Sequence, residues 1–135
     1  MTPTPTPLEQ LALKCETATT SSRELDVEIA QAVWPQLDRY APHCKGEEPI
    51  FWEDPFRKRQ CPEFTKSLDA AMTLIPANCR TELFGSGSAW SAYIFHFTRE
   101  SVQASSRPGG VVCAALALTA ASLRARAALA KEPTR

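Results

Sequence analysis

Apolar residues recur at helical spacing in the first quarter of the chain. The first such stretch predicts a helix over residues 7–17, with Thr6 as its N-cap and Pro7 at its first position. After a polar break, a second stretch predicts a helix from about residue 22 to residue 33, which Pro35 ends. Polar side chains of this second helix are expected off its apolar stripe: Glu24, Asp26, Glu28 and Gln31.

A short amphipathic pattern occupies the centre of the chain, from Phe64 to Pro76. Thr65 or Ser67 is the predicted cap of a helix that ends near Ile75, before the proline. The predicted buried stripe of this helix follows the i, i+3, i+4, i+7 spacing and consists of Leu68, Ala71, Met72 and Ile75.

The pattern changes to that of strands after Pro76. Residues 79–98 predict a β-hairpin with its turn at residues 85–88. Apolar residues occupy both faces of the second strand, so one face is expected to pack on helices and the other to be at least partly covered. Residues 99–110 are interpreted as a loop, and a last helix is predicted from Val111 to about Ala130.

These elements predict an α+β fold. We expect a small sandwich of the α/β/α type, in which three or four helices pack on a short antiparallel sheet containing the hairpin 79–98. The chain has 135 residues, 44% of them hydrophobic and 22% charged, which fits one globular domain. That domain is expected over residues 8–130, between a disordered Thr/Pro tail at 1–7 and a frayed tail at 131–135.

Residues 34–63 are the least regular part of the chain, because five prolines interrupt them. Their aromatic rings argue against disorder, and we expect a loop pinned to the domain that donates further strands. Three interpretations stay open for its aromatic and basic residues: a solvated loop, a protein interface, and a site for single-stranded nucleic acid. The candidate interaction residues are Phe51, Trp52, Phe56, Arg57, Lys58 and Arg59.

Charge argues against one class of function. Acidic and basic residues balance at 15 each, although the acidic excess lies in residues 1–56 and the basic excess in residues 57–135. A general, charge-driven affinity for nucleic acid or membranes is therefore not expected. With no secretory signal and no apolar run of about 20 residues, the chain is expected in the cytoplasm, without a membrane partner.

Residues able to perform chemistry occur without a recognisable arrangement. The five cysteines include no CxxC pair, so a zinc site built from His43, Cys44, Cys61 and Cys79 is a minor alternative. A cysteine nucleophile paired with His96, or acid–base chemistry at Glu53 and Asp54, lacks supporting sequence context. We therefore predict no enzymatic activity, no catalytic residues, no metal and no cofactor.

Four segments resemble one known family. They are the RELDVEIA helix at residues 23–30, Trp52 with the basic run at 57–59, the segment Phe64–Pro76, and the alanine-rich helix at residues 114–127. Together they resemble the "phage ABA sandwich" family. The resemblance implies a compact α/β sandwich encoded by a phage or prophage, and it implies no chemistry.

The expected function is that of a small, non-enzymatic phage accessory protein that binds another protein of the host or the phage. Inhibition of a host defence system would fit such a product. The alternative is a nucleic-acid-binding accessory protein that uses the basic run 57–59 and the arginines of the last helix, Arg124 and Arg126.

Overall fold

The computed structural model describes residues 6–34, 38–40, 50–54, 57–99, 103–106 and 110–131. Within these ranges four helices and six strands are formed, and the α+β class is confirmed. In chain order the elements are α1 (Pro7–Thr17), α2 (Arg23–Val33), β1 (Asp38–Tyr40), β2 (Ile50–Asp54), β3 (Arg57–Gln60), α3 (Leu68–Met72), β4 (Cys79–Ser86), β5 (Ala89–His96), β6 (Gln103–Ser105) and α4 (Ala114–Lys131).

The cap predicted for the first helix is confirmed. The Thr6 hydroxyl accepts a hydrogen bond from the Glu9 backbone N–H, and Pro7 is the first residue of α1. In α2 the cap is Ser22, whose hydroxyl accepts from the Leu25 backbone N–H. The predicted Thr/Pro tail falls mostly on residues 1–5, and the C-terminal tail on residues 132–135, outside the described residues.

Helix α4 is the centre of the domain. Nearly every side chain from Ala115 to Ala127 is buried, so the helix has no solvent face over this span. It packs on α1, on α3 and on all three strands β4, β5 and β6. The predicted start at Val111 is wrong, because Val111 instead exchanges backbone hydrogen bonds with Trp90 of β5.

The sheet under α4 has the strand order β4-β5-β6 and is antiparallel throughout. The predicted hairpin 79–98 is confirmed as β4 and β5, with Gly87 and Ser88 as the connecting residues. Gly85 requires its lack of a side chain, since its φ is +145° and a Cβ would lie 2.7 Å from the Trp90 Cα. Strand β6 arises within residues 99–110, which were expected to be a loop.

Strands β1, β2 and β3 form a separate antiparallel sheet, in the order β1-β2-β3. We call it the first sheet, because its strands come first along the chain. The loop 36–64 was expected to add strands to the main sheet, but these strands pair among themselves. Both ends of the segment are held at the body of the domain. The Trp34 and Phe64 rings meet edge-on at 6.2 Å, and the Arg23 guanidinium donates to the Cys61 and Pro62 carbonyls.

The central helix is shorter than predicted and buries a different face. Helix α3 ends at Met72, and turns carry the chain on to Pro76. Leu68 and Met72 were predicted to be buried, but they are exposed, Met72 by 54%. Phe64, Ala71 and Leu74 supply the buried contacts instead. A helix of about one turn is too short to present all four positions of the predicted stripe on one face. The prediction of burial is therefore wrong for Leu68 and Met72.

Asp26 was expected off the apolar stripe of α2, yet it is only 1% exposed. Its Oδ1 accepts hydrogen bonds from the Thr65 backbone N–H at 2.9 Å and from the Thr65 hydroxyl at 2.8 Å. Its Oδ2 accepts from the Arg23 guanidinium at 2.9 Å. The Thr65 hydroxyl also accepts from the Ser22 backbone N–H. This network fastens the start of α2 to the segment that precedes α3.

We expect Asp26→Ala to lower the free energy of unfolding by about 3 kcal/mol, because buried Thr65 donors and the Arg23 charge would lose their partner. Asp26→Asn keeps one acceptor oxygen and should cost less. Glu28→Ala is the matched control, since Glu28 on the same helix pairs with Lys14 in an exposed contact. Its loss should stay within about 0.5 kcal/mol. Urea unfolding followed by circular dichroism measures all three, and equal losses for Asp26→Ala and Glu28→Ala would contradict the assignment.

Candidate functional site: an exposed aromatic face

The two long strands of the main sheet divide their side chains between two faces. Ala92 and Ile94 of β5 are buried in the core, on the face that α4 covers. Because side chains alternate along a strand, Tyr93 and Phe95 lie on the opposite face. The register places Glu82 opposite Tyr93 and Arg80 opposite Phe95, so the alternate residues of β4 share that opposite face.

Three rings on this face contact one another in a row. Phe84 and Tyr93 meet edge-on with their centroids 5.9 Å apart, and Tyr93 stacks on Phe95 at 6.5 Å with an interplanar angle of 14°. The Arg80 guanidinium carbon lies 5.5 Å from the centroid of the Phe95 ring, within the range of a cation–π contact. We call Arg80, Phe84, Tyr93 and Phe95 the aromatic face.

Much of this surface is open to solvent. Phe84 is 55% exposed and Tyr93 40% exposed, and Phe97, which follows β5, is 66% exposed. Single exposed apolar residues are ordinary, but a contiguous row of rings is typical of an interaction site. The prediction that the second face of the hairpin is at least partly covered agrees with the half-buried Phe95, whereas Phe84 and Phe97 are more than half exposed.

The structure brings most of the predicted interaction residues into one hairpin at the level of the backbone. Strands β2 and β3 pair so that Phe51 is opposite Arg59 and Trp52 is opposite Lys58. Arg57 pairs with Asp54 after an irregularity in the register. Phe56 lies outside the described residues. The basic run 57–59, expected in a loop, forms a strand that belongs to the first sheet and not to the sheet of the aromatic face.

The two arginines proposed for nucleic-acid binding make internal contacts. The Arg124 guanidinium forms a two-pronged ion pair with the buried carboxylate of Glu16 and also donates to the Ser105 carbonyl. The Arg126 Nε donates to the Leu74 carbonyl at 2.7 Å, and burial lowers the pKa of this guanidinium. Both side chains thus connect α4 to neighbouring segments. Their guanidinium groups are therefore poorly placed to contact the phosphates of a nucleic acid.

The structure places one candidate cysteine opposite one candidate histidine. Cys79 and His96 are cross-strand partners at the open end of the hairpin. Burial raises the pKa of the Cys79 thiol, which disfavours the nucleophilic thiolate. The His96 Nδ1 accepts hydrogen bonds from the backbone N–H groups of Thr98 and Arg99, so this nitrogen is not available as a base. The pair therefore lacks the features of an activated nucleophile.

The other chemical candidates do not converge in the described part of the chain. Cys61 is buried, with its thiol directed to the Pro62 carbonyl. His43 and Cys44 lie outside the described residues. Among the residues that the structure does describe, no three of His, Cys, Asp and Glu are grouped as a metal ion would require. Within the same ranges no helix combines the length and the apolar character needed to cross a bilayer.

Comparison of the chain with protein-family models, with curated proteins and with solved structures found no match.

Cys15 is the most strongly perturbed thiol of the described residues. It is fully buried in α1, and this burial raises the pKa of its thiol to about 12, with the Glu16 and Asp26 carboxylates adding to the shift. A pKa raised in the folded state means that folding keeps the proton on the sulfur. The resulting contribution to stability is complete below the ordinary thiol pKa of about 8.5 and is lost as the pH rises toward 12.

We therefore expect the wild-type chain to lose stability more steeply than Cys15→Ala above about pH 8.5, by up to about 1.4 kcal/mol for each pH unit. Near neutral pH the variant should be the less stable protein, because it lacks a buried sulfur, and the difference should shrink with rising pH. Urea unfolding at a series of alkaline pH values measures both free energies. Parallel pH profiles for the two proteins would show that Cys15 does not titrate in this way.

Proposed function

We propose that this chain is a non-enzymatic binding protein that contacts another protein through its aromatic face. The observation that carries the proposal is the row of contacting rings from Phe84 through Tyr93 to Phe95, the first two of them exposed to solvent, with Arg80 at its end. Aromatic and arginine side chains dominate the binding energy of protein interfaces, because they bury a large area with few rotatable bonds. The rings contact each other already, so less conformational entropy is lost when a partner covers them.

Charge favours a protein partner over nucleic acid at this face. Arg80 is its only basic residue, and its guanidinium lies 3.4 Å from the Glu82 carboxylate. A carboxylate beside Tyr93 would repel a phosphate backbone, whereas a protein surface can supply a donor for it. The zero net charge of the chain agrees with a partner recognised by shape and apolar contact.

The resemblance to phage ABA sandwich proteins supports a proposal about the origin of the gene and the source of the partner. It favours a phage or prophage gene and a partner in the host cytoplasm, supplied by the host or by the phage. A component of a host defence system is one such partner. The predicted residues of the first sheet, above all Trp52 and Arg57, are the second candidate surface for the same binding function.

The test compares capture by immobilised wild-type protein with capture by two surface variants. Phe84→Ser with Tyr93→Ser removes the aromatic face, and Trp52→Ala with Arg57→Ala alters the first sheet. Quantitative mass spectrometry of proteins retained from host lysate identifies a partner, and titration of the purified partner follows. We expect the aromatic-face variant to bind at least about 100-fold more weakly, as loss of two central rings implies.

Thr73→Ala is the control, because Thr73 is the exposed residue directly after α3, outside the hairpin that carries the aromatic face, and should bind as wild type does. Circular dichroism must show that each variant is folded. Binding lost only in the Trp52/Arg57 variant would transfer the site to the first sheet. A partner retained equally by both surface variants would contradict both sites.

Nucleic-acid binding remains the alternative because of one observation, the register that sets Phe51 and Trp52 opposite Arg59 and Lys58. It predicts retention of a single-stranded oligonucleotide at low salt, with an affinity that falls steeply as salt rises. Fluorescence anisotropy of a labelled oligonucleotide measures this directly. The Trp52/Arg57 variant should then lose the affinity, whereas the Phe84/Tyr93 variant should keep it, and an absence of binding at low salt would remove the alternative.

A further inference from the structure

Strand β4 is an edge of the main sheet. It pairs with β5 on one side, and in the described residues no strand pairs with its other side. The strand is eight residues long, and of the three strands in the sheet α4 packs chiefly against β5 and β6. Long, accessible edge strands tend to pair with a further strand unless a charge, a proline or a bulge prevents it. No proline interrupts β4, and its register with β5 is continuous from Cys79 to Ser86. Its two charges, Arg80 and Glu82, have opposite signs and pair with each other.

The hydrogen bonds of the sheet show which backbone groups of β4 point outward. The Phe97 N–H donates to the Asn78 carbonyl at 2.9 Å, so Asn78 and Phe97 form a hydrogen-bonded pair. In an antiparallel ladder these pairs alternate with pairs that make no bond to each other. Arg80, Glu82 and Phe84 therefore direct their N–H and C=O groups to β5. The groups that point away from β5 belong to Cys79, Thr81 and Leu83.

We propose that a second copy of this chain occupies the edge, with β4 pairing antiparallel to β4 of the partner about a two-fold axis at Thr81. In this register Thr81 pairs with the partner's Thr81, and Cys79 pairs with the partner's Leu83. The backbone N–H and C=O groups that hydrogen-bond across this interface are those that point away from β5. The proposal uses the edge of the sheet, and Arg80 is the one residue that it shares with the aromatic face. Thr81→Pro lies outside the aromatic face, so it tests the dimer separately from the binding function proposed above.

Charge complementarity selects this register. An axis at Thr81 places Arg80 opposite the partner's Glu82, and symmetry repeats the contact on the other side of the axis. In one chain these two side chains already lie on the same face, 3.4 Å apart, and both are well exposed. They can exchange an internal ion pair for two cross-strand pairs, one on each side of the axis. An axis at Leu83 satisfies the same backbone pattern but sets Arg80 opposite Ser86, with no charge pair.

A buried hydroxyl on the other face supports the same axis. The Thr81 Oγ1 is buried and has no hydrogen-bond partner among the described residues. A buried hydroxyl without a partner is destabilising, and directly opposed threonines commonly hydrogen-bond in antiparallel sheets. With the axis at Thr81, the two threonines are directly opposed, and a change of the Thr81 χ1 rotamer turns each hydroxyl from its buried position toward the other. One register thus accounts for the free backbone groups, the two opposite charges and the unpartnered hydroxyl.

Charge reversal provides the sharpest test. Arg80→Glu and Glu82→Arg each place like charges opposite one another twice in the dimer. Each should weaken dimerisation by at least about tenfold. The double variant Arg80→Glu/Glu82→Arg restores opposite charges and should recover a dimerisation constant near that of the wild type. Sedimentation velocity over a wide range of protein concentrations measures the constants. Low salt should accentuate the differences, because the pairs lie at the surface.

Thr81→Pro tests the backbone contribution. The Thr81 N–H points away from β5, so proline removes a bond of the dimer and leaves the β4–β5 ladder intact. This variant should be a folded monomer, whereas Thr81→Val, which keeps the N–H, should still dimerise. A wild-type chain that is monomeric at every concentration would overturn the proposal. So would a dimer that neither single charge reversal weakens, or one that the double variant fails to restore.

Discussion

The domain depends on the burial of one helix on all sides. Between Ala115 and Ala127, α4 presents almost no side chain to solvent, so every direction around it must be covered by another element. Helix α1 covers one side, α3 another and the sheet β4-β5-β6 a third. The many alanines make this arrangement feasible, because small side chains allow the neighbours to approach closely. Two polar contacts are made inside this packing: Thr119 donates to the Phe64 carbonyl, and Arg124 binds the buried Glu16. The buried Ser122 hydroxyl has no hydrogen-bond partner among the described residues.

The same arrangement leaves one face of the sheet for function. Strand β5 uses Ala92 and Ile94 to contact α4, and the alternation of side chains then places Tyr93 and Phe95 on the other side. A helix so thoroughly enclosed needs only one face of a three-stranded sheet to complete its cover. Substitutions on the aromatic face can therefore alter binding without disturbing the core, which makes the two roles of the hairpin separable by mutation.

Short sequence patterns were sufficient to predict the features that depend on neighbouring residues, namely helix caps and hairpin turns. Thr6 and Pro7 define the start of α1, and the alternating strands around Gly87 define the hairpin, because caps and turns involve residues within a few positions of each other. Strand β6 carries no such signal in three residues, and it exists because β5 offers it an edge. Asp26 looked like a solvated helix residue, and its burial follows from Thr65, 39 positions away in the chain.

By itself the sequence determined the α+β class, the order of the main elements and the aromatic residues available for binding, since periodicity and propensity are properties of short segments. Tertiary structure decided which of those aromatic residues are exposed. The sequence singles out the rings at 51–56 because prolines and basic residues surround them. The row of rings that the structure describes, with Phe84 and Tyr93 exposed and Phe95 half-buried, lies inside a regular hairpin. Both faces of that hairpin are apolar in sequence. Only the position of α4, on one side of the sheet, distinguishes the core face from the open one.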